Sequence, residues 1–129
     1  MRTRKNVLLL FSKVPEPGLV KTRLTTLKDG VFEPDVASGL YHCMLFDVVE
    51  ICCAAMTRLE ERASSVDPET GEEIRDVYEM RISTAPVGNL DKMRELFAVS
   101  GTWPREIVFV ADEGKSFDEH YNHAFAQAF

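Results

Sequence analysis

The apolar residues of this 129-residue chain fall into blocks whose spacing changes along the sequence. Val7 to Phe11 is an unbroken apolar run, bounded by charge before it and by Pro15, Pro17 and Gly18 after it. Such a run predicts a central parallel strand covered on both faces. Pro34 suits the first turn of a helix. Val36, Leu40, Met44, Val48, Ile51, Cys52, Ala55 and Leu59 follow at helical spacing, with Leu45 and Val49 widening the stripe. That spacing predicts one long, substantially buried helix with the Val36 to Leu59 series facing inward. Val66 to Glu73 has the composition of a turn. Tyr78, Met80 and Ile82 then alternate with Glu79, Arg81 and Ser83, as in a strand with one wetter face.

Gly88 and Asn89 open a short helix carrying Leu90, Met93, Leu96 and Phe97, with Asn89 in the N-cap position. Ser100 and Gly101 end it. Ile107 to Ala111 is another apolar strand, followed by a loop, and Phe117, Tyr121, Phe125 and Phe129 step by four along a last helix. Alternating strands and helices predict a single α/β domain over residues 1–129 with a mostly parallel sheet. The last helical pattern ends on Phe129 without a glycine cap or a polar terminal turn. It reads as a fold interrupted at its C-terminus, and its aromatic stripe would favour self-association into a homo-oligomer.

The net charge of -6 and pI near 5.1 argue against a duplex nucleic-acid binder, which carries a basic face. The charge is nevertheless uneven. Lys and Arg crowd the first 28 residues, which hold a single acid, Glu16. The acids gather in Glu60 to Asp76 and in Asp112 to Glu119. No unbroken apolar run reaches the roughly 20 residues of a membrane span. The basic start followed by five apolar residues is too short for a signal-peptide core of about 7–15. Cys43, Cys52 and Cys53 have neither disulfide-framework nor zinc-site spacing. The expectation is a cytoplasmic protein with no membrane partner.

The candidate chemistry begins with the loop leaving the first strand. Lys13, Lys21 and Arg23 surround its prolines, and Thr22 and the backbone near Gly18 add donors. Ligands of open α/β sheets bind beyond the carboxyl ends of strands, where this loop lies. Arg23 can hold a phosphate bidentately. The loop is neither GxxxxGK[ST] nor GxGxxG, and a solvated connector is the competing reading. His120 and His123, beside Asp118 and Glu119, suggest a metal site, but a third ligand is missing and a polar helix face explains them better. His42 and Cys43 are adjacent and therefore point to different faces of a helix. Asp112, Glu113 and Asp118, with Lys115 among them, suit a divalent cation or a ligand hydroxyl. Ser116 and Glu119 instead form a capping-box pattern, which leaves Gly114 and Asp118 as binding candidates.

Three stretches carry a family resemblance. The first is Phe11, Lys13, Pro15, Pro17, Gly18, Val20, Lys21, Thr22, Arg23 and Leu24, directly after an apolar strand. The second is Leu40 to Val49, and the third is Gly114 to Phe125. Together they resemble a family of bacterial and archaeal proteins with the glycosyltransferase A-type, or nucleotide-diphospho-sugar transferase, fold. That family is distantly similar to the 2-phospholactate guanylyltransferases. The resemblance implies a three-layer α/β/α fold whose N-terminal, nucleotide-binding portion is this chain. It implies a nucleotide or nucleotide-sugar ligand, with phosphates held by Lys13, Gly18, Lys21, Thr22 and Arg23, and with Gly114 and Asp118 nearby. It also implies Mg²⁺ or Mn²⁺ in the complete transferase. The family's metal-binding acid follows a later strand, so no metal ligand or catalytic residue is assignable here. A non-catalytic nucleotide- or anion-binding module is the alternative.

Overall fold

The computed structural model of the protein describes residues 1–62, 64–85 and 87–111. Strand β1 spans Arg2–Ser12, longer than its apolar run because its charged half is paired as well. It lies parallel to β3 (Glu73–Thr84), in a register from Arg2 opposite Ile74 to Ser12 opposite Thr84. Arg4 faces Asp76 and grips it with two bonds, Nε to Oδ1 at 2.6 Å and Nη2 to Oδ2 at 3.0 Å. Asn6 Nδ2 donates to the same carboxylate at 3.0 Å. Lys5 pairs with Glu79 at 3.2 Å. Arg4 and Asp76 are directly opposite and Lys5 and Glu79 lie on a diagonal, and opposite charges placed so across a strand pair favour that register.

β1 occupies one whole edge of β3. The other edge is shared by β4 (Ile107–Ala111), parallel to Met80–Thr84, and by β2 (Ser65–Val66), antiparallel to Glu73–Ile74. The turn between β2 and β3 is closed by Asp67 Oδ1, which accepts from the Glu69 amide at 2.9 Å, and by Gly71 at φ 71°. The stretch predicted as turn alone therefore begins with a strand residue, Val66. A two-residue strand has no periodicity to detect.

Among the described residues the sheet is thus a mixed sheet of four strands, accompanied by two helices, α1 (Pro34–Glu60) and α2 (Leu90–Val99). This corrects the expected three-layer α/β/α fold with a mostly parallel sheet. Both helices pack on one face, in a core that joins Met80 and Ile82 to Leu45, Val49, Cys53 and Met56 of α1 and to Met93 and Phe97 of α2. The physical reason is the strand order. From β1 to β3 to β4 the chain moves across the sheet in one direction, and right-handed crossovers taken in one direction put their helices on one face. A second helical layer requires the chain to reverse direction. The last predicted helix, Phe117 to Phe129, lies outside the described residues.

Helix α1 begins with Pro34 in its first turn, as predicted, but its rotation differs. Leu45, Val49, Cys53 and Met56 face the sheet, while Val36, Leu40, Met44, Val48 and Ile51 remain 42–68% exposed. Two apolar series one residue apart are separated by about 100° around a helix, so periodicity alone cannot select between them. Packing does. Phe46 meets Phe97 at 4.8 Å and Trp103 at 5.1 Å between ring centroids, and these contacts fix the helix rotation. By length and composition α1 is also apolar enough to cross a membrane. Core helices pass the same test, and this one carries its Leu45 to Met56 face against the sheet.

Phe97 is the centre of the core at 2% exposure, touching Trp103 at 4.8 Å and Phe109 at 5.3 Å. Trp103 Nε1 donates to the Phe97 carbonyl at 3.0 Å, which satisfies the indole and closes the turn after α2. Asn89 precedes α2, yet its side chain makes no capping bond. The far end of α1 is tied down by Glu60, whose carboxylate accepts from the Tyr78 amide at 3.1 Å and pairs with Arg105. Arg105 also donates to the Tyr78 carbonyl at 2.7 Å. Its guanidinium holds the Glu60 carboxyl below the usual range.

Two outcomes are expected. Phe97→Ala should destabilise the protein by about 3–5 kcal/mol in urea unfolding, since it leaves a cavity between three rings. The hydrogen bonds from Arg4 and then Asn6 pull the Asp76 pKa from 3.8 down to about 2. A depressed carboxyl contributes stability that is complete above its unfolded pKa and lost as pH falls through the folded one. Acid unfolding of the wild type should therefore steepen between about pH 4 and pH 2, and Asp76→Asn should flatten that part of the curve. An unchanged slope would mean that Asp76 is not linked to folding.

Candidate functional site

The chain leaves β1 at Ser12 and crosses the carboxyl end of the sheet. Val14 and Val20 are buried and pin both ends of the proline segment. Between them the Leu19 amide donates to the Glu16 carbonyl at 3.1 Å, and Gly18 turns the chain at φ 80°. Lys21 then adopts a left-handed backbone, φ 51° and ψ 35°, ahead of a 3-10 turn at Thr22–Leu24. That conformation costs a non-glycine residue about 1–2 kcal/mol. Strain of this sort persists where surrounding structure enforces it, and it concentrates at functional sites.

The enforcing structure is visible one turn later. Thr25 is fully buried, and its hydroxyl donates to the Thr22 carbonyl at 2.8 Å. Its own carbonyl accepts from the Gly30 amide at 2.7 Å, while the Phe32 amide donates to the Leu24 carbonyl at 3.0 Å. Gly30 lies so close to this backbone that a Cβ there would come within 2.3 Å of the Leu24 carbonyl carbon. The loop is therefore a folded element rather than a loose connector.

This loop walls a cleft of about 610 Å³. Lys13, Lys21, Thr22 and Arg23 line it from the loop, and Phe11, Ser83 and Ala85 line it from the strand ends. Tyr41 enters from α1. Ser12 Oγ donates to the Lys13 carbonyl at 2.9 Å, so the Tyr41 hydroxyl, 2.9 Å away, must be the donor to Ser12 Oγ. Lys21 Nζ stands 6.0 Å from the centre of the Tyr41 ring, within cation–π range.

The electrostatics separate two groups of cations. Arg2, Arg4 and Lys5 are neutralised by Asp67, Asp76 and Glu79. Glu16, the acid nearest the cleft in sequence, is engaged by Lys92 at 3.1 Å. Among the described residues Lys13, Lys21 and Arg23 have no ion-pair partner. Three unpaired cations around one concavity attract an anion and repel a bare divalent cation. No cluster of three or more His, Cys, Asp or Glu able to hold a metal occurs among the described residues. The described residues that line the cleft do not fit Mg²⁺ or Mn²⁺.

Of the predicted binding residues, Lys13, Lys21, Thr22 and Arg23 come together on this cleft. Gly18 shapes the loop without lining the cleft. Gly114 and Asp118 lie outside the described residues, as do Ser116, Glu119, His120 and His123. His42 is half-buried with its ring edge-on to Phe46 at 4.4 Å, a packing role, and Cys43 is exposed. Sequence reasoning missed Tyr41, Ser12, Ser83, Thr25 and Gly30. Only Gly30 had a readable signal, the Asp29–Gly30 turn dipeptide. Tyr41 and Ser83 are brought in by tertiary packing alone.

No protein-family model, curated protein or solved structure matches this chain.

Gly30→Ala should force the Leu24–Thr25 backbone outward and reshape the cleft. The expected readouts are a lowered melting temperature and proteolytic cleavage within residues 19–32. A Gly30→Ala protein as protease-resistant as wild type would show that the loop yields without cost.

Proposed function

We propose that the cleft binds the phosphate groups of a nucleotide or nucleotide-sugar. On this reading the chain is the nucleotide-binding part of a nucleotidyl- or glycosyltransferase. The observation that carries it is the convergence of Lys13, Lys21 and Arg23, unpaired among the described residues, on one cleft at the carboxyl ends of β1 and β3. Each cation forms charge-assisted hydrogen bonds to phosphate oxygens, and Arg23 presents a fork that matches two of them. Thr22 adds a hydroxyl donor. The strained Lys21 backbone supports the same reading, since a solvated connector has no use for it. The described residues bind and orient; none of them supplies a metal site or a nucleophile to the reaction.

Calorimetric titration with inorganic pyrophosphate, nucleoside triphosphates and nucleotide-sugars, with and without Mg²⁺, tests the proposal. Saturable binding is expected, falling at least about tenfold in Lys21→Ala and in Arg23→Ala, because a charge-assisted bond is worth about 1.5–3 kcal/mol. Turnover of a triphosphate or nucleotide-sugar would separate a transferase from a module that only binds. If neither pyrophosphate nor any nucleotide binds, the cations are solvated and the proposal fails.

A further inference from the structure

The cleft is lined by uncharged residues as well as by cations, and one of the uncharged ones carries a hydroxyl with no hydrogen-bond partner. Ser83 is 1% exposed, and its Oγ makes no hydrogen bond. Buried hydroxyls are normally satisfied, and an exception calls for a reason. The other hydroxyl pair of the cleft is already committed, Tyr41 donating to Ser12 and Ser12 to the Lys13 carbonyl. Ser83 lines the cleft with Phe11 and Ala85 at the strand ends. The cleft's volume of about 610 Å³ lies within the range of roughly 300–1,000 Å³ typical of sites for whole small molecules. It is far larger than a pyrophosphate needs.

We infer that Ser83 is the residue that recognises the uncharged part of the ligand, and that this part is a nucleoside. The inference rests on the phosphate reading of the loop. Phosphates against Lys13, Lys21 and Arg23 leave the body of the ligand against Phe11, Ser83 and Ala85. An aromatic side chain and a small one suit a flat base or a sugar ring, and the hydroxyl supplies both a donor and an acceptor to its edge. On this inference a turn of χ1 between staggered positions presents the hydroxyl to the ligand. The hydroxyl is a liability in the free protein and is satisfied only by the ligand.

Thr84 provides an internal control. Its hydroxyl is also buried without a partner. It follows Ser83 in the strand and so points to the opposite sheet face, and it does not line the cleft.

The test measures binding of inorganic pyrophosphate and of ADP, GDP, CDP and UDP to wild type, Ser83→Ala and Thr84→Val. Wild type should bind at least one nucleoside diphosphate more tightly than pyrophosphate. Ser83→Ala should lose about 3- to 30-fold of that affinity while binding pyrophosphate unchanged, the range expected for one hydrogen bond. It should also melt at or above the wild-type temperature, which a merely structural serine would not do. Thr84→Val should bind both ligands as wild type does. Ser83→Cys, which keeps the size and weakens the hydrogen bond, serves if the alanine variant is poorly folded. Pyrophosphate binding with no nucleoside preference, or a preference that survives Ser83→Ala, overturns this inference alone. Absence of pyrophosphate binding in wild type overturns the phosphate reading beneath it.

Discussion

Arg4 faces Asp76 across a parallel pair of strands, and a slip of that pair by one residue would turn every side chain of β1 to the wrong face. The register it helps to fix has effects at the other end of the strands. Ser12 comes opposite Thr84, and Phe11 opposite Ser83. The loop after β1 is thereby launched beside the end of β3, so that Lys13 and Ser83 border the same cleft although 70 positions separate them in sequence. An ion pair with no part in the cleft thus helps to set where the cleft forms.

The basic N-terminal region consequently has two uses. Cations on β1 are matched by acids across the sheet and serve the fold. Among the described residues, cations on the loop are kept apart from acids: Glu16 is drawn away by Lys92, and the remaining lining is hydroxyl, aromatic or aliphatic. An overall acidic protein can in this way maintain a local positive field, since screening limits exposed charges to a range of about 8–10 Å in physiological salt. Net charge describes the whole surface and says little about a single concavity.

Much of the fold was legible in the sequence, and the gaps have physical causes. The Pro34 start of α1 and the Ile107 to Ala111 strand are set by local chemistry and occur as expected. The Val7 to Phe11 run does form a parallel strand, but at the edge of the described sheet rather than at its centre, with Leu8 and Phe11 exposed, because an apolar run does not tell where its strand will stand in the sheet. The rotation of α1 depends on Phe46 meeting Phe97 and Trp103, contacts between distant segments that no local pattern encodes. The layer count failed for a related reason, because element order does not tell in which direction successive strands add to a sheet. At the site, charge and turn chemistry marked Lys13, Lys21, Thr22 and Arg23. The uncharged wall left no trace, since Ser83 in isolation is only a polar residue in an alternating strand.

The exposed series on α1 carries a thermal consequence. Val36, Leu40, Met44, Val48 and Ile51 run about 22 Å along the helix at its rise of about 1.5 Å per residue. Water against such a seam gives any contact that covers it a large negative heat capacity, and near room temperature the driving force is almost wholly entropic. Chains that associate through α1 would do so more strongly on warming and come apart in the cold. Ion pairs such as Arg4–Asp76 obey a different temperature law, so chilling would loosen contacts made through this seam while leaving the strand register intact.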